Sequence, residues 1–130
     1  MTKFKAAAMF GALVLAAPAV AQDANLFASS SKLTQQSGEA IYNAICVACH
    51  QKAGEGASGA GAYPALAKND NMAAADYPIH VVLHGQKGMP PLKGVLDDAQ
   101  IAEVVNYIRS EFNGFNDEPA TTEQVAAARN

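Results

Sequence analysis

The sequence predicts an all-α domain in which helices alternate with glycine-rich loops. Apolar residues recur at helical spacing in several segments, whereas the alternation typical of strands is weak throughout. Capping residues stand at the starts of those segments, and clusters of glycine and proline separate them. The chain has 130 residues, which is enough for one domain. Its formal net charge of −3 argues against a nucleic-acid-binding protein, which needs a basic face.

The first 21 residues have the pattern of a secretory signal peptide. Lys3 and Lys5 form a basic start, an uncharged and largely apolar stretch covers 6–17, and Ala19-Val20-Ala21 has the A-x-A form of a cleavage site. The apolar stretch is short for a hydrocarbon layer of about 30 Å, although an uncleaved membrane anchor is the alternative. We therefore expect cleavage after Ala21 and export to the periplasm, a compartment that permits oxidised cysteines.

The rest of the chain divides into an N-terminal arm at 22–36, a helical domain at 37–113 and a C-terminal extension at 114–130. The first helix of the domain begins after Ser37, whose hydroxyl is a favoured N-cap. Its apolar residues recur at helical spacing, at Ala40, Ile41, Ala44 and Ile45. The extension is predicted to contain one short helix at 122–129.

Glycine and proline mark the limits of the middle elements. A loop with four glycines covers 54–61, and a short helical turn is predicted at 72–76. A helix follows at 77–84, with Pro78 in its first turn, where a missing N–H costs nothing. The next stretch, 86–95, is rich in glycine and proline and is predicted to be a loop.

The longest helix is predicted over 98–112. Asp97 can cap its N-terminus, and Gln100 three residues later completes a capping-box pattern. Apolar residues mark a single face of this helix, at Ile101, Val104, Val105, Ile108 and Phe112. The pattern indicates a helix that packs that face against the core.

The two cysteines lie in the pentapeptide Cys46-Val47-Ala48-Cys49-His50. A disulfide between them would close a short, strained loop and stabilise little. A thiol oxidoreductase carries its C-x-x-C pair in a βαβ setting, which this sequence does not show. A zinc site needs further ligands, and there is no second cysteine pair. The remaining interpretation is covalently attached haem c, for which C-x-x-C-H is the signature.

This pentapeptide would supply two tethers and one axial ligand of a haem. Thiols three residues apart on a helical turn can each add to one haem vinyl group. His50, directly after the second cysteine, then projects toward the iron from the same segment. No disulfide or redox dithiol requires that histidine.

The preferred sixth ligand is Met89, which stands between Gly88 and Pro90 in the predicted loop. A His/Met ligand pair favours ferrous iron and raises the reduction potential. The alternative for Met89 is a flexible core filler, and the second candidate ligand is His84, just before the loop. Met72 is expected to pack in the core or at the haem edge. His80 and His84 share a helix face and are expected to be surface or packing residues.

With these motifs, residues 37–112 resemble class I c-type cytochromes. The resemblance implies a fold of helices and loops wrapped around one haem. It also implies that the helix before the haem motif crosses the last long helix, where Gly38, Tyr42 and Tyr107 match the family's contact positions. Pro64-Ala65-Leu66 is similar to the family's Pro-x-Leu element. By that resemblance, the Pro64 carbonyl would accept a hydrogen bond from His50 Nδ1 and Leu66 would press on the haem.

Softer marks are similar to cytochrome subunits or domains of periplasmic dehydrogenases that oxidise alcohols, aldehydes and sugars. They are the segments at 63–69, 81–85 and 100–109 and the tail after Phe112. Several such subunits carry three haem motifs, whereas this chain has one. The resemblance implies a one-electron carrier between a donor, such as a dehydrogenase, and a respiratory acceptor. The alternatives are a sensor or enzyme with an open sixth iron position, and a tightly bound dehydrogenase subunit.

The residues outside the haem motif suggest no reaction site, since no nucleophile has an evident base. The excess of acidic residues is expected to steer a redox partner that has a basic docking face. The apolar wall of the haem site is predicted to come from Ile79, Val82, Leu83, Leu92, Val105 and Ile108.

Overall fold

The computed structural model describes residues 32–59 and 61–130. The predicted signal peptide and its cleavage site lie outside these residues, and so does most of the predicted arm. None of the helices among the described residues is long and apolar enough to cross a bilayer.

The described part of the chain contains five α-helices, numbered α1 to α5 in chain order. They are α1 (Gly38–Ile41), α2 (Val47–His50), α3 (Asp76–His84), α4 (Asp98–Asn113) and α5 (Thr122–Ala128). A π-helical turn at Tyr42–Cys46 joins α1 to α2 without a break, and a 3₁₀ turn lies at Asp70–Met72. The predicted all-α class and the cytochrome-like order of elements are confirmed.

A two-stranded antiparallel sheet is an addition that the sequence did not predict. Strands β1 (Ala57–Ser58) and β2 (Ala62–Tyr63) pair Ala57 with Tyr63 and Ser58 with Ala62. Two-residue strands are too short to show an alternating apolar pattern, so the segment carries only loop signals. Strand β1 lies within the predicted loop at 54–61, and β2 directly follows that loop and ends at Tyr63.

The caps of the helices agree with the sequence pattern, with small shifts of the termini. Ser37 Oγ accepts a hydrogen bond from the Ala40 amide, and the Asp97–Gln100 capping box is complete at α4. The helical turn predicted at 72–76 is wrong in position, since the 3₁₀ turn begins at Asp70. Asn69 sets that start because its side chain accepts a hydrogen bond from the Asn71 amide.

The helices α1 and α4 cross at Gly38, as the resemblance implied. A Cβ atom at this position would lie 2.2 Å from the Glu103 carbonyl oxygen and 2.6 Å from Tyr107 Cβ. Only the absence of a side chain allows the two backbones to come so close. Beside the crossing, Tyr42 is fully buried and its ring packs 5.6 Å from that of Tyr107 and 5.0 Å from that of Phe112, between centroids.

Residues 114–130 pack on the same core as the helices before them. Helix α5 lies against α3 and α4, and its Val125 is fully buried. Asn106 on α4 exchanges two side-chain hydrogen bonds with the backbone of Ala120. Arg109, only 3% exposed, donates to the carbonyls of Met72, Ala73, Asp117 and Glu118. This guanidinium therefore ties α4 to the segments on both sides of it.

Candidate functional site

A cavity of about 660 Å³ lies between the two halves of the chain. Its volume is typical of sites that hold an organic ligand, which run from about 300 to 1,000 Å³. The cavity brings together residues that are distant in sequence: Cys46, Cys49, His50, Pro64, Leu66 and Met89 all line it. The rest of its lining is largely apolar.

Cys46 and Cys49 both line this cavity, and neither forms a disulfide bond. The π-helical turn at Tyr42–Cys46 leads directly into α2, so both cysteines lie on one continuous helical segment. Burial, with a smaller effect of the Cys49 thiol, raises the pKa of Cys46 to about 12. A reactive dithiol needs a lowered pKa, so this environment argues against a thiol oxidoreductase.

Among residues 32–59 and 61–130, no three side chains of His, Cys, Asp or Glu are grouped so as to hold a metal ion. His50 and the two cysteines alone would leave such a site short of ligands.

A hydrogen bond from a ring nitrogen fixes the orientation of the His50 side chain. Its side chain is 8% exposed, and Nδ1 lies 3.0 Å from the Pro64 carbonyl oxygen. Because a carbonyl only accepts, Nδ1 carries the proton in this bond, and the neutral ring has its lone pair on Nε2. That arrangement is the usual one for an imidazole that ligates a metal through Nε2, since the second bond fixes both tautomer and orientation.

The backbone around Pro64 depends on Gly56. Its φ is +69°, and a Cβ there would lie 2.4 Å from the Tyr63 carbonyl oxygen, so only glycine fits. The Gly56 amide donates to the His50 carbonyl at 3.0 Å. The chain segment after α2 is thereby bound to both His50 and the Pro64 segment. Leu66, at the end of that segment, reaches the cavity lining.

Gln51 directly follows His50 in a strained conformation, with φ 67° and ψ 169°. This region of conformational space is almost restricted to glycine, and other residues pay about 1–3 kcal/mol to adopt it. Two hydrogen bonds hold the residue there. Its amide donates to the Val47 carbonyl at 3.0 Å, and its carbonyl accepts from the Tyr42 hydroxyl at 2.7 Å.

We expect a Gln51→Gly variant to be more stable than the wild type by about 1 kcal/mol, because the relief of strain exceeds the added backbone entropy of glycine. Chemical denaturation of the purified protein measures the difference. Lys52→Gly is the matched control, since Lys52 is the next residue, is exposed and has no positive φ. The control is expected to lose stability, and a loss of similar size in both variants would contradict the assignment of strain.

Met89 is half-buried and reaches the same cavity from a different segment, the connection between α3 and α4. Its backbone forms two hydrogen bonds with Gln86, at 2.9 and 3.1 Å, which close a tight turn. Gly85 allows this turn, since its φ is +73° and a Cβ there would lie 2.5 Å from the Met89 carbonyl oxygen. Met72 is buried and also lines the cavity.

The two other histidines lie away from the cavity. His84, the second candidate for a sixth ligand, is not in the lining, and its Nε2 lies 2.9 Å from the Ala128 carbonyl oxygen. His80 is exposed, and its ring centroid lies 4.8 Å from that of His84, with the two ring planes tilted by 42°. Their positions agree with surface and packing roles.

Of the six residues predicted for the apolar wall, three line this cavity and three do not. Val82, Leu92 and Ile108 line the cavity, whereas Ile79, Leu83 and Val105 are buried outside its lining. A helix turns about 100° per residue, so two apolar residues that are adjacent in a helix need not line the same cavity. The residues that sequence reasoning missed include Val81, Leu96, Val104, Tyr63 and Tyr77. Val104 could have been found from its i,i+4 relation to Ile108.

A family model described as cytochrome c oxidase, cbb3-type, subunit III matches residues 34–108, a span that includes the crossing, the cavity and the Met89 turn. The chain belongs to the cytochrome c family. Members of this family bind haem c, and the site of this cytochrome fits the group. The cavity is large and mainly apolar, two free thiols and an imidazole border it, and the imidazole is fixed with its Nε2 lone pair available.

This cytochrome is similar to two curated proteins. It is 34% identical over 106 residues to the fructose dehydrogenase cytochrome subunit of Gluconobacter japonicus, covering 69% of this chain and 22% of that one. It is also 34% identical over 119 residues to cytochrome c-552 of Thermus thermophilus, covering 75% of this chain and 77% of that one. The chain thus spans about a fifth of the dehydrogenase subunit and most of the second relative.

Among solved structures, the c-type cytochrome XoxG from Methylobacterium extorquens AM1 matches with a TM-score of 0.49 and 21% identity. The match covers 73% of this chain and 66% of that one.

Proposed function

We propose that this cytochrome is a one-electron carrier that holds a single haem c, bonded to Cys46 and Cys49 and ligated by His50 and Met89. The observation that carries the proposal is the shared cavity. It joins the C-x-x-C-H segment to Met89, 39 positions after His50. His50 is already oriented in it by the Pro64 carbonyl. Bound there, haem c supplies the one-electron Fe(III)/Fe(II) couple.

Each residue of the site has a separate task. The two thiols tether the group to one helical segment. His50 offers its Nε2 lone pair, and the bond from Nδ1 to Pro64 keeps the ring from rotating. Met89 offers a thioether, a ligand that favours the ferrous state and raises the reduction potential. Leu66 and the other apolar lining residues exclude water, which raises the potential further by disfavouring the extra charge of ferric iron.

The proposed place of work is the periplasm, since residues 1–21 have the pattern of an exported segment. The proposed electron donor is a dehydrogenase, with a respiratory protein as acceptor. Similarity to a fructose dehydrogenase cytochrome subunit supports this class of donor. The same similarity favours a second candidate function, in which the chain is a firmly bound subunit and not a free shuttle.

The charged residues around the cavity bear on how a partner with a basic face would dock. The cavity lining contains Lys87 and no aspartate or glutamate. We infer that the exported chain attracts a basic docking face from a distance, because loss of Lys3 and Lys5 changes the net charge from −3 to −5.

The test is a pyridine haemochrome assay together with a redox titration of the purified holoprotein and its Met89→His variant. We expect one covalently bound haem per chain in both proteins. The variant should have a potential lower by on the order of 0.1 V, a fraction of the roughly 0.8 V that axial ligands span. Met72→Leu is the matched control, because Met72 lines the same cavity and should leave the potential almost unchanged.

Two outcomes would contradict the carrier proposal. An unchanged titration in Met89→His would remove Met89 as a ligand. Rapid binding of carbon monoxide by the wild type, unaltered by Met89→Ala, would instead indicate the sensor or enzyme with an open iron position.

A further inference from the structure

Ala128 at the end of α5 and Arg129 directly after it bond to residues on both sides of Met89, although they lie outside the residues matched by the family model, 34–108. The segment at 85–96, here called the Met89 loop, connects α3 to the approach of α4. The residue before this loop meets the last residue of α5, and the far end of the loop meets Arg129, directly after α5.

The first end of the Met89 loop is fixed through His84. This residue is the last of α3, immediately before the loop begins. Its Nε2 lies 2.9 Å from the carbonyl oxygen of Ala128, the last residue of α5. Since a carbonyl accepts only, the histidine donates in this bond.

The second end is fixed through Arg129, directly after α5. Its guanidinium donates to the carbonyl oxygens of Lys93 at 2.7 Å and Leu96 at 3.2 Å, and it forms an ion pair with Asp98. The rigid fork of arginine can hold three acceptors at once, whereas an ammonium group is a single point charge.

Helix α5 has its own attachment to the core, which makes it a fixed reference for the loop. Val125 is fully buried, and Ala120 is hydrogen-bonded twice to Asn106 on α4. Within the Met89 loop, by contrast, Met89 is restrained by its backbone turn with Gln86. The Leu92 amide also donates to the Val82 carbonyl at 2.9 Å, so the position of the turn over the cavity depends on this bond and on how the loop ends are held.

We propose that α5 is a clamp that closes the Met89 loop at both ends, with Arg129 and His84 as positioning residues for Met89. The inference rests on the proposed role of Met89 as a ligand. Opening of the clamp allows Met89 to leave the cavity. The apparent affinity of the site for an external ligand then increases with the fraction of molecules in the open form.

The first experiment needs no haem signal. Trypsin can cut after Lys87 and Lys93, both exposed in the Met89 loop, and after Lys52, exposed in the loop that follows α2. In Arg129→Met, which keeps the aliphatic stem, we expect cleavage at Lys87 and Lys93 to become about tenfold faster relative to Lys52, because local opening limits proteolysis. Glu123→Gln, on an exposed position of α5, is the control and should cleave like the wild type.

The second experiment measures carbon monoxide binding by the ferrous holoprotein. It also measures the reduction potential of the Fe(III)/Fe(II) couple. We expect Arg129→Met to bind carbon monoxide about tenfold more tightly than the wild type and to have a lower potential. Arg129→Lys should show the same two changes at smaller size, because one ammonium group still reaches some, but not all, of the three acceptors. Glu123→Gln should again match the wild type.

The outcomes separate this proposal from the proposed function. If Met89→Ala changes carbon monoxide binding but Arg129→Met changes neither binding nor the cleavage ratio, the clamp is wrong and the ligand role stands. If Arg129→Met lowers only the thermal midpoint, with an unchanged potential, α5 is merely structural and the clamp is also wrong. If Met89→Ala itself has no effect, the ligand role fails first.

Discussion

A Gly38→Ala variant is expected to lose more than about 4 kcal/mol of stability, a loss at the extreme of single substitutions. The added Cβ would lie 2.2 Å from the Glu103 carbonyl oxygen and 2.6 Å from Tyr107 Cβ. Both obstacles belong to the rigid frame of α4, so no flexible side-chain end can move aside. Relief requires α1 and α4 to separate, which would expose the fully buried Ile41 and Tyr42.

Chemical denaturation, followed by far-ultraviolet circular dichroism, measures this loss. Gly59→Ala is the matched control, because a Cβ at Gly59 meets nothing within 4 Å and its φ is not positive. That control should remain within about 0.5 kcal/mol of the wild type, as surface substitutions usually do. Equal stability of the Gly38 and Gly59 variants would show that the crossing tolerates a wider separation.

The crossing at Gly38 and the helix caps were predictable because their signals are local or carried by a family motif. Ser37 and the Asp97–Gln100 pair act within one turn of the residues they cap. The position of the 3₁₀ turn was missed because Asn69 competes with the later residues as a cap. Apolar spacing alone does not reveal which side-chain oxygen wins that competition.

In the site, too, some features could be predicted from the sequence and others could not. The spacing of Cys46, Cys49 and His50 indicates the attached group, since the chemistry lies in adjacent residues. Which apolar residues line the cavity depends on helix rotation, so Val105 was expected there and Val104 was not. The strained backbone of Gln51 has no sequence signal either, because it results from the Tyr42 hydroxyl and the Val47 carbonyl acting together.

The contacts of α5 are the least predictable part of the chain. His84 and Ala128 are 44 positions apart, and Arg129 reaches back 36 positions to the Lys93 carbonyl. Side-chain bonds to backbone carbonyls leave no constraint on the identity of the accepting residue. A sequence pattern therefore predicts the helix at α5 but not what the helix holds.

Replacement of His50 by alanine is expected to abolish the normal holoprotein. The substitution removes the Nε2 lone pair from the cavity and leaves the Pro64 carbonyl without its donor. With Cys46 and Cys49 intact, we expect the pyridine haemochrome of this variant to show both thioether bonds, so that loss of the normal spectrum reports a failure of ligation and not of attachment. Cys49→Ala should fail differently, with one thioether bond missing in the pyridine haemochrome.

His80→Ala is the matched control for His50→Ala, because His80 is exposed and lies outside the cavity lining. It should keep the haem content, the reduced absorption spectrum and the potential of the wild type. A wild-type spectrum in His50→Ala would contradict the assigned ligand. A loss of the spectrum in both variants would instead indicate that α3, and not the bond from Nδ1 to Pro64, governs the site. Since the His50 ring is fixed by its hydrogen bond to the Pro64 carbonyl and not by α3, His80→Ala should leave His50 in place.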